Sequence, residues 1–81
     1  MATHTVLSPL PGTFYRSGAP GQPAFKNDGD TVNAGDVIGI VEVMKQFSEV
    51  TADVAGRIVK FHLENESPVD AGAPLVDIET A

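Results

Sequence analysis

From residue 37 the chain carries an apolar run, Val37-Ile38-Gly39-Ile40-Val41-Glu42-Val43, rich in the β-branched side chains that favour strands. It alternates: Gly39, Val41 and Val43 share the Val37 side, and Ile38, Ile40 and Glu42 take the other. A second alternating segment, from Phe47 to Val50, follows after Met44-Lys45-Gln46. The pair predicts strand, turn, strand, with Met44 and Lys45 at the tip. A competing pattern runs through the same residues, because Ile40, Met44, Phe47, Val50 and Val54 keep the 3–4 spacing of an amphipathic helix. The β-branched content opposes a helix. So does the match between the first part of the segment and a stretch that contains Pro74.

That match belongs to an internal repeat. The segment from Gly29 to Glu42 aligns with the one from Glu66 to Glu79, with Val32/Val69, Ala34/Ala71, Gly35/Gly72 and Glu42/Glu79 identical. Upstream, Gly12-Thr13-Phe14-Tyr15-Arg16 matches Gly56-Arg57-Ile58-Val59-Lys60 at an offset of 44 instead of 37, so the first copy holds seven extra residues between Arg16 and Gly29. The Gly- and Pro-rich stretch Ser17-Gly18-Ala19-Pro20-Gly21-Gln22-Pro23-Ala24 reads as a projecting loop there. In each copy a strand follows a glycine, a turn holds Asn33-Ala34-Gly35 or Asp70-Ala71-Gly72, and a second strand ends at Glu42 or Glu79. Short strands with such punctuation predict an all-β sandwich or flattened barrel of quasi-two-fold symmetry. In this scheme Lys45 lies just past the end of copy one, where copy two terminates.

Composition narrows the function classes. Eighty-one residues are expected to form one domain, 1–81, with little room for a large concave active site. Five basic against eleven acidic residues give a net charge of −6, which disfavours nucleic acid as a partner. No apolar stretch approaches the length of a membrane span, and the start lacks signal-peptide character, so a cytoplasmic protein with no membrane partner is expected. There is no cysteine, His4 and His62 show no ligand spacing, and no nucleophile or phosphate-loop pattern occurs, so neither a metal site nor a catalytic residue is expected. A lysine becomes a nucleophile when burial or a neighbouring cation strips its proton. The sequence around Lys45 offers the carboxylates Glu42 and Glu49 instead, so Lys45 reads as the substrate of another enzyme.

Ser8-Pro9-Leu10-Pro11-Gly12-Thr13-Phe14-Tyr15-Arg16, then Val41-Glu42-Val43-Met44-Lys45, then Gly56 and Pro74-Leu75, resemble the biotinyl domain of bacterial biotin carboxyl carrier proteins from Thr5 to about Glu79. The resemblance implies two four-stranded antiparallel sheets, with covalent biotin on Lys45 at an exposed hairpin. It also implies recognition of Glu42, Val43, Met44 and Gln46 by a biotin protein ligase that works through biotinyl-adenylate. A biotin carboxylase would load carboxylate and a carboxyltransferase would pass it to an acyl-CoA, giving malonyl-CoA in acetyl-CoA carboxylase, while the carrier catalyses neither step. The extra loop, residues 17–24, falls where such carriers have a protruding thumb. Val43 and Gln46 depart from the Ala-Met-Lys-Met pattern of the family. A lipoyl carrier of a 2-oxoacid dehydrogenase shares the architecture but reads Asp-Lys-Ala at the tip. An unmodified structural hairpin domain would lack the Met-Lys pair.

Overall fold

The computed structural model describes residues 2–18 and 21–80. Eight strands follow in order: β1 (Ala2–Leu7), β2 (Gly12–Tyr15), β3 (Thr31–Val32), β4 (Val37–Val43), β5 (Gln46–Thr51), β6 (Gly56–Phe61), β7 (Ser67–Val69) and β8 (Pro74–Thr80). They form two four-stranded antiparallel sheets, ordered β1-β8-β6-β3 and β5-β4-β2-β7. The helical alternative for residues 40–54 is not adopted; residues 37–51 form strand, two-residue turn and strand.

The repeat explains the topology. Moving β4, β2, β7 and β5 onto β8, β6, β3 and β1 exchanges one sheet for the other, strand by strand. Even the pairing registers correspond: Val43↔Gln46 answers to Thr80↔Ala2, and Phe14↔Val41 to Ile58↔Ile78. The core is built from the same equivalences. Phe14 and Ile58, Ile38 and Leu75, Val41 and Ile78, Val32 and Val69, and Val6 and Val50 are all buried. Ser8 and Ala52 are buried at matching positions, each donating its amide to the residue after a turn glycine, Ala73 or Asp36, at 2.8 Å. The equivalence of β1 with β5, again at offset 44, is carried by little more than Val6 and Val50 and was not apparent in the sequence.

Two kinds of glycine hold the scheme together. Gly35 and Gly72 have φ of 94° and 83°, and close turns in which Asp36 N donates to Asn33 O and Ala73 N to Asp70 O. An L side chain is strained there. Gly12 and Gly56 serve close strand approach: a β-carbon on either would run into a backbone carbonyl oxygen of the neighbouring strand, that of Glu42 or of Glu79.

One expectation needs correction. Strict alternation puts Ile38 and Val41 on opposite faces, yet both are fully buried. The β4–β5 register skips Ile38, a β-bulge that returns its side chain to the core. The β1–β8 register skips the equivalent Leu75 in the same way. Because the bulge is repeated, it is a property of the fold and not a local irregularity.

Candidate functional site

β4 and β5 are joined by a two-residue turn. Val43 pairs with Gln46, and Met44 and Lys45 between them have φ of 50° and 65°. Two positive φ values in a two-residue hairpin match the twist of the flanking strands, but the geometry prefers Asn-Gly. Side chains in this left-handed region cost roughly 1–2 kcal/mol each, and such strain tends to gather where function requires it. Met44 is 92% exposed at this tip, and Lys45 and Gln46 are exposed beside it. Met44 therefore lies outside the core. Among the described residues Lys45 makes no ion pair, whereas Lys26 Nζ lies 3.7 Å from Asp36 Oδ2.

Behind the hairpin, the outer face of the same sheet forms a groove of about 300 Å³ lined by Tyr15, Ile40, Glu42, Phe47 and Glu66 together with Ser17, Gly18 and Asn65. The register β2–β4–β5 sets Thr13, Glu42 and Phe47 side by side, and Tyr15 beside Ile40. Tyr15 Oη donates to Glu42 Oε1 at 2.7 Å. This bond, then partial burial and the charges of Glu42 and Glu66, hold the Tyr15 phenol above its ordinary pKa, so it stays a donor at neutral pH. On the other side of the hairpin, Leu10, Val43, Met44, Gln46 and Ser48 line an apolar-rich hollow of about 410 Å³.

The first two residues of the extra segment, Ser17 and Gly18, line the groove behind the hairpin. Phe25 N donates to Arg16 O at 2.8 Å, closing residues 17–24 at their base where the repeat alignment puts the extra segment. Ala19 and Pro20 lie outside the described residues. The base is anchored: Arg16 stacks on the Phe61 ring at 4.2 Å, and its amide donates to Asn65 Oδ1 at 2.7 Å. Ser17 is buried there, and Gly18, Gly21, Gln22 and Pro23 are exposed.

The structure thus brings Val43, Met44, Lys45 and Gln46 together on one tip and turns Glu42 towards Tyr15 in the groove. Tyr15 and Phe47 are site residues that the sequence reading did not single out. The signal for Tyr15 was present, since Gly-Thr-Phe-Tyr-Arg alternates and leaves Tyr15 opposite in facing to the buried Phe14. Each histidine has a carboxylate beside it: His4 Nε2 lies 2.8 Å from Asp53 Oδ1, and His62 Nε2 2.9 Å from Asp77 Oδ1.

With its quasi-symmetric pair of four-stranded sheets and an exposed lysine at one hairpin, the chain belongs to the family described as "Biotin-requiring enzyme", which matches residues 4–78. Among relatives, the biotin carboxyl carrier protein of acetyl-CoA carboxylase from Nostoc sp. is 40% identical over 74 residues, 91% of this chain and 41% of that one. The same-named protein of Chlamydia trachomatis is 45% identical over 76 residues, 94% of this chain and 46% of the other. The chloroplastic protein 1 of that name from Arabidopsis thaliana is 45% identical over 75 residues, 93% of this chain and 27% of the other. The chain thus spans less than half the length of these relatives. Among solved structures, the urea carboxylase of Kluyveromyces lactis superposes with a TM-score of 0.79 at 29% identity, over 98% of this chain and 6% of that one.

Proposed function

We propose that residues 1–81 form one biotinyl domain that carries covalent biotin on Lys45 and serves as the carboxyl carrier of an acyl-CoA carboxylase, acetyl-CoA carboxylase by its relatives' names. The observation that carries this reading is the tip itself: a Met-Lys pair in a two-residue turn with both φ positive, leaving a primary amine exposed and without an ion-pair partner among the described residues. Those features fit an acyl acceptor. A biotin protein ligase would read Glu42, Val43, Met44 and Gln46 around it, and the Lys45 Nζ–C bond would form as AMP leaves biotinyl-adenylate. When bound, biotin supplies a ring that accepts and gives up carboxylate. The chain's own residues hold the attachment point rigid on two paired strands, away from the core. Biotin carboxylase and carboxyltransferase are the partners that would visit the tip in turn, and the extra segment 17–24, of which Ser17 and Gly18 line the groove, would be the thumb against which the tethered group rests. We place this work in the cytoplasm, a setting that suits an acidic, cysteine-free chain. The carrier itself performs no catalysis in this scheme.

Lys45→Arg tests the reading, because it keeps the charge and removes the acyl-accepting amine. Protein made with biotin and a biotin protein ligase should gain the mass of one biotinyl group and bind streptavidin. Lys45→Arg should lose both, while Lys26→Arg and Lys60→Arg keep them. Labelling retained in Lys45→Arg, or a lipoyl mass in place of biotin, would overturn the proposal.

A further inference from the structure

One side-chain bond links the modification motif to a strand remote in sequence. Tyr15 Oη donates to Glu42 Oε1 at 2.7 Å across 27 residues, from β2 to β4. Glu42 stands three residues before Lys45, with Phe47 of β5 as its neighbour in the register on the other side. The carboxylate is thus held between strands on the outer face of the sheet. Its other oxygen, Oε2, has no hydrogen bond or ion pair among the described residues.

We propose that Tyr15 is a positioning residue for the biotinylation of Lys45, holding the Glu42 carboxylate in one rotamer on the hairpin face that the ligase reads. The inference rests on the carrier reading above. A free glutamate side chain samples many rotamers and loses that freedom on docking. A carboxylate already fixed by a charge-assisted hydrogen bond loses less, so Tyr15 lowers the concentration of carrier at which the ligase saturates. It touches neither the reacting amine nor the adenylate, so the step after docking is untouched. A purely structural role for the hydroxyl would instead leave docking unchanged in any variant that stays folded.

The test uses the full 81-residue chain, purified without biotin, with a biotin protein ligase, ATP and biotin, and reads initial rate against carrier concentration. Tyr15→Phe keeps the ring and removes only the hydroxyl. KM for the carrier should rise roughly three- to ten-fold, as for the loss of one pre-ordered side chain, with kcat changed by less than about two-fold. In a Glu42→Ala background, Tyr15→Phe should have no further effect. Glu42→Asp, which leaves Tyr15 intact but draws the carboxylate back by one methylene, should raise KM in the same direction and serves if Tyr15→Phe melts below the assay temperature. An unchanged KM in a folded Tyr15→Phe or in Glu42→Asp, or a Tyr15→Phe effect that persists in Glu42→Ala, overturns the inference. A parent chain that is not labelled at Lys45 overturns the carrier reading as well, whereas a labelled parent with unaffected variants removes only the role of Tyr15.

Discussion

Met44 and Lys45 combine backbone strain and exposure at one tip. Both occupy the left-handed region at a turn where Asn-Gly would be relaxed, and Met44 is 92% exposed, so neither the turn nor the core needs a methionine there. Met44→Gly should therefore stabilise the fold, raising the melting temperature by about 3–6 °C through relief of part of the left-handed cost. The same change removes a fully presented thioether side chain from the tip. If the ligase buries it, biotinylation should slow about ten-fold, in line with the loss of a methionine's contact area. A thermal melt and an initial-rate assay on the same sample check both halves. A gain in stability without a loss in rate would show that the methionine is not read.

Single contacts between elements decide the behaviour of whole strands. Asp77 in β8 accepts a hydrogen bond from Thr5 Oγ1 in β1 at 2.7 Å and lies 2.9 Å from His62 Nε2, just beyond β6, so one carboxylate braces three neighbouring strands. Hydrogen bonding by His62, then by Thr5, holds the Asp77 carboxyl below the usual carboxylate range, against the opposing effect of burial. A pKa lower in the folded than in the unfolded chain adds stability above the unfolded value of about 3.9, and that stability is lost as pH falls through the folded value. Asp77→Asn should accordingly be less stable than the parent in urea at pH 7, and the gap should close as pH drops below about 4. A gap that does not narrow as pH falls below about 4 would mean that the ionised carboxylate is not its source. The loop at residues 17–24 makes the opposite case. The Arg16–Phe25 bond closes its base, so replacing the eight residues by a short turn should leave the fold intact, given that a doubling of flexible loop length changes stability by only about 0.6 kcal/mol. On the proposed carrier reading, such a protein should still be labelled at Lys45, while carboxyl transfer to an acyl-CoA falls because the tethered group is less well placed. Unfolding of the shortened chain, or unaltered transfer, would count against a thumb.

At the scale of the molecule, the two-fold relation makes the Lys45 hairpin and the paired residues Ala2 and Thr80 equivalent places in the two sheets. Thr80 pairs with Ala2 as Val43 pairs with Gln46. Joining Thr80 to Ala2 through an Asn-Gly turn and opening the exposed loop between Gln22 and Pro23 should give a circular permutant that folds, because no core strand is cut and the new turn copies one already present. Its far-ultraviolet circular dichroism should match the parent's, and it should melt in a single cooperative transition. A permutant without cooperative unfolding would show that the order of the copies matters and that their symmetry alone is insufficient.

How much of this was legible in the sequence depends on whether the signal was local. The turns at Gly35 and Gly72, the strand–turn–strand around Lys45 and the extra segment at residues 17–24 were all readable, because positive φ, β-branching and a change of repeat offset are written in neighbouring residues. The buried facing of Ile38 and Leu75 was not, because a bulge is decided by the register of the partner strand, which alternation within one strand cannot report. Nor was the kinship of β1 with β5, where pairing and position survive although the residues have diverged. The sequence by itself determined the repeat, the strands and the one lysine set at a tip. Only the tertiary structure decided that Tyr15, 30 residues upstream of Lys45, meets Glu42 beside it, because hydrogen bonds between side chains depend on which strands become neighbours and not on their order along the chain.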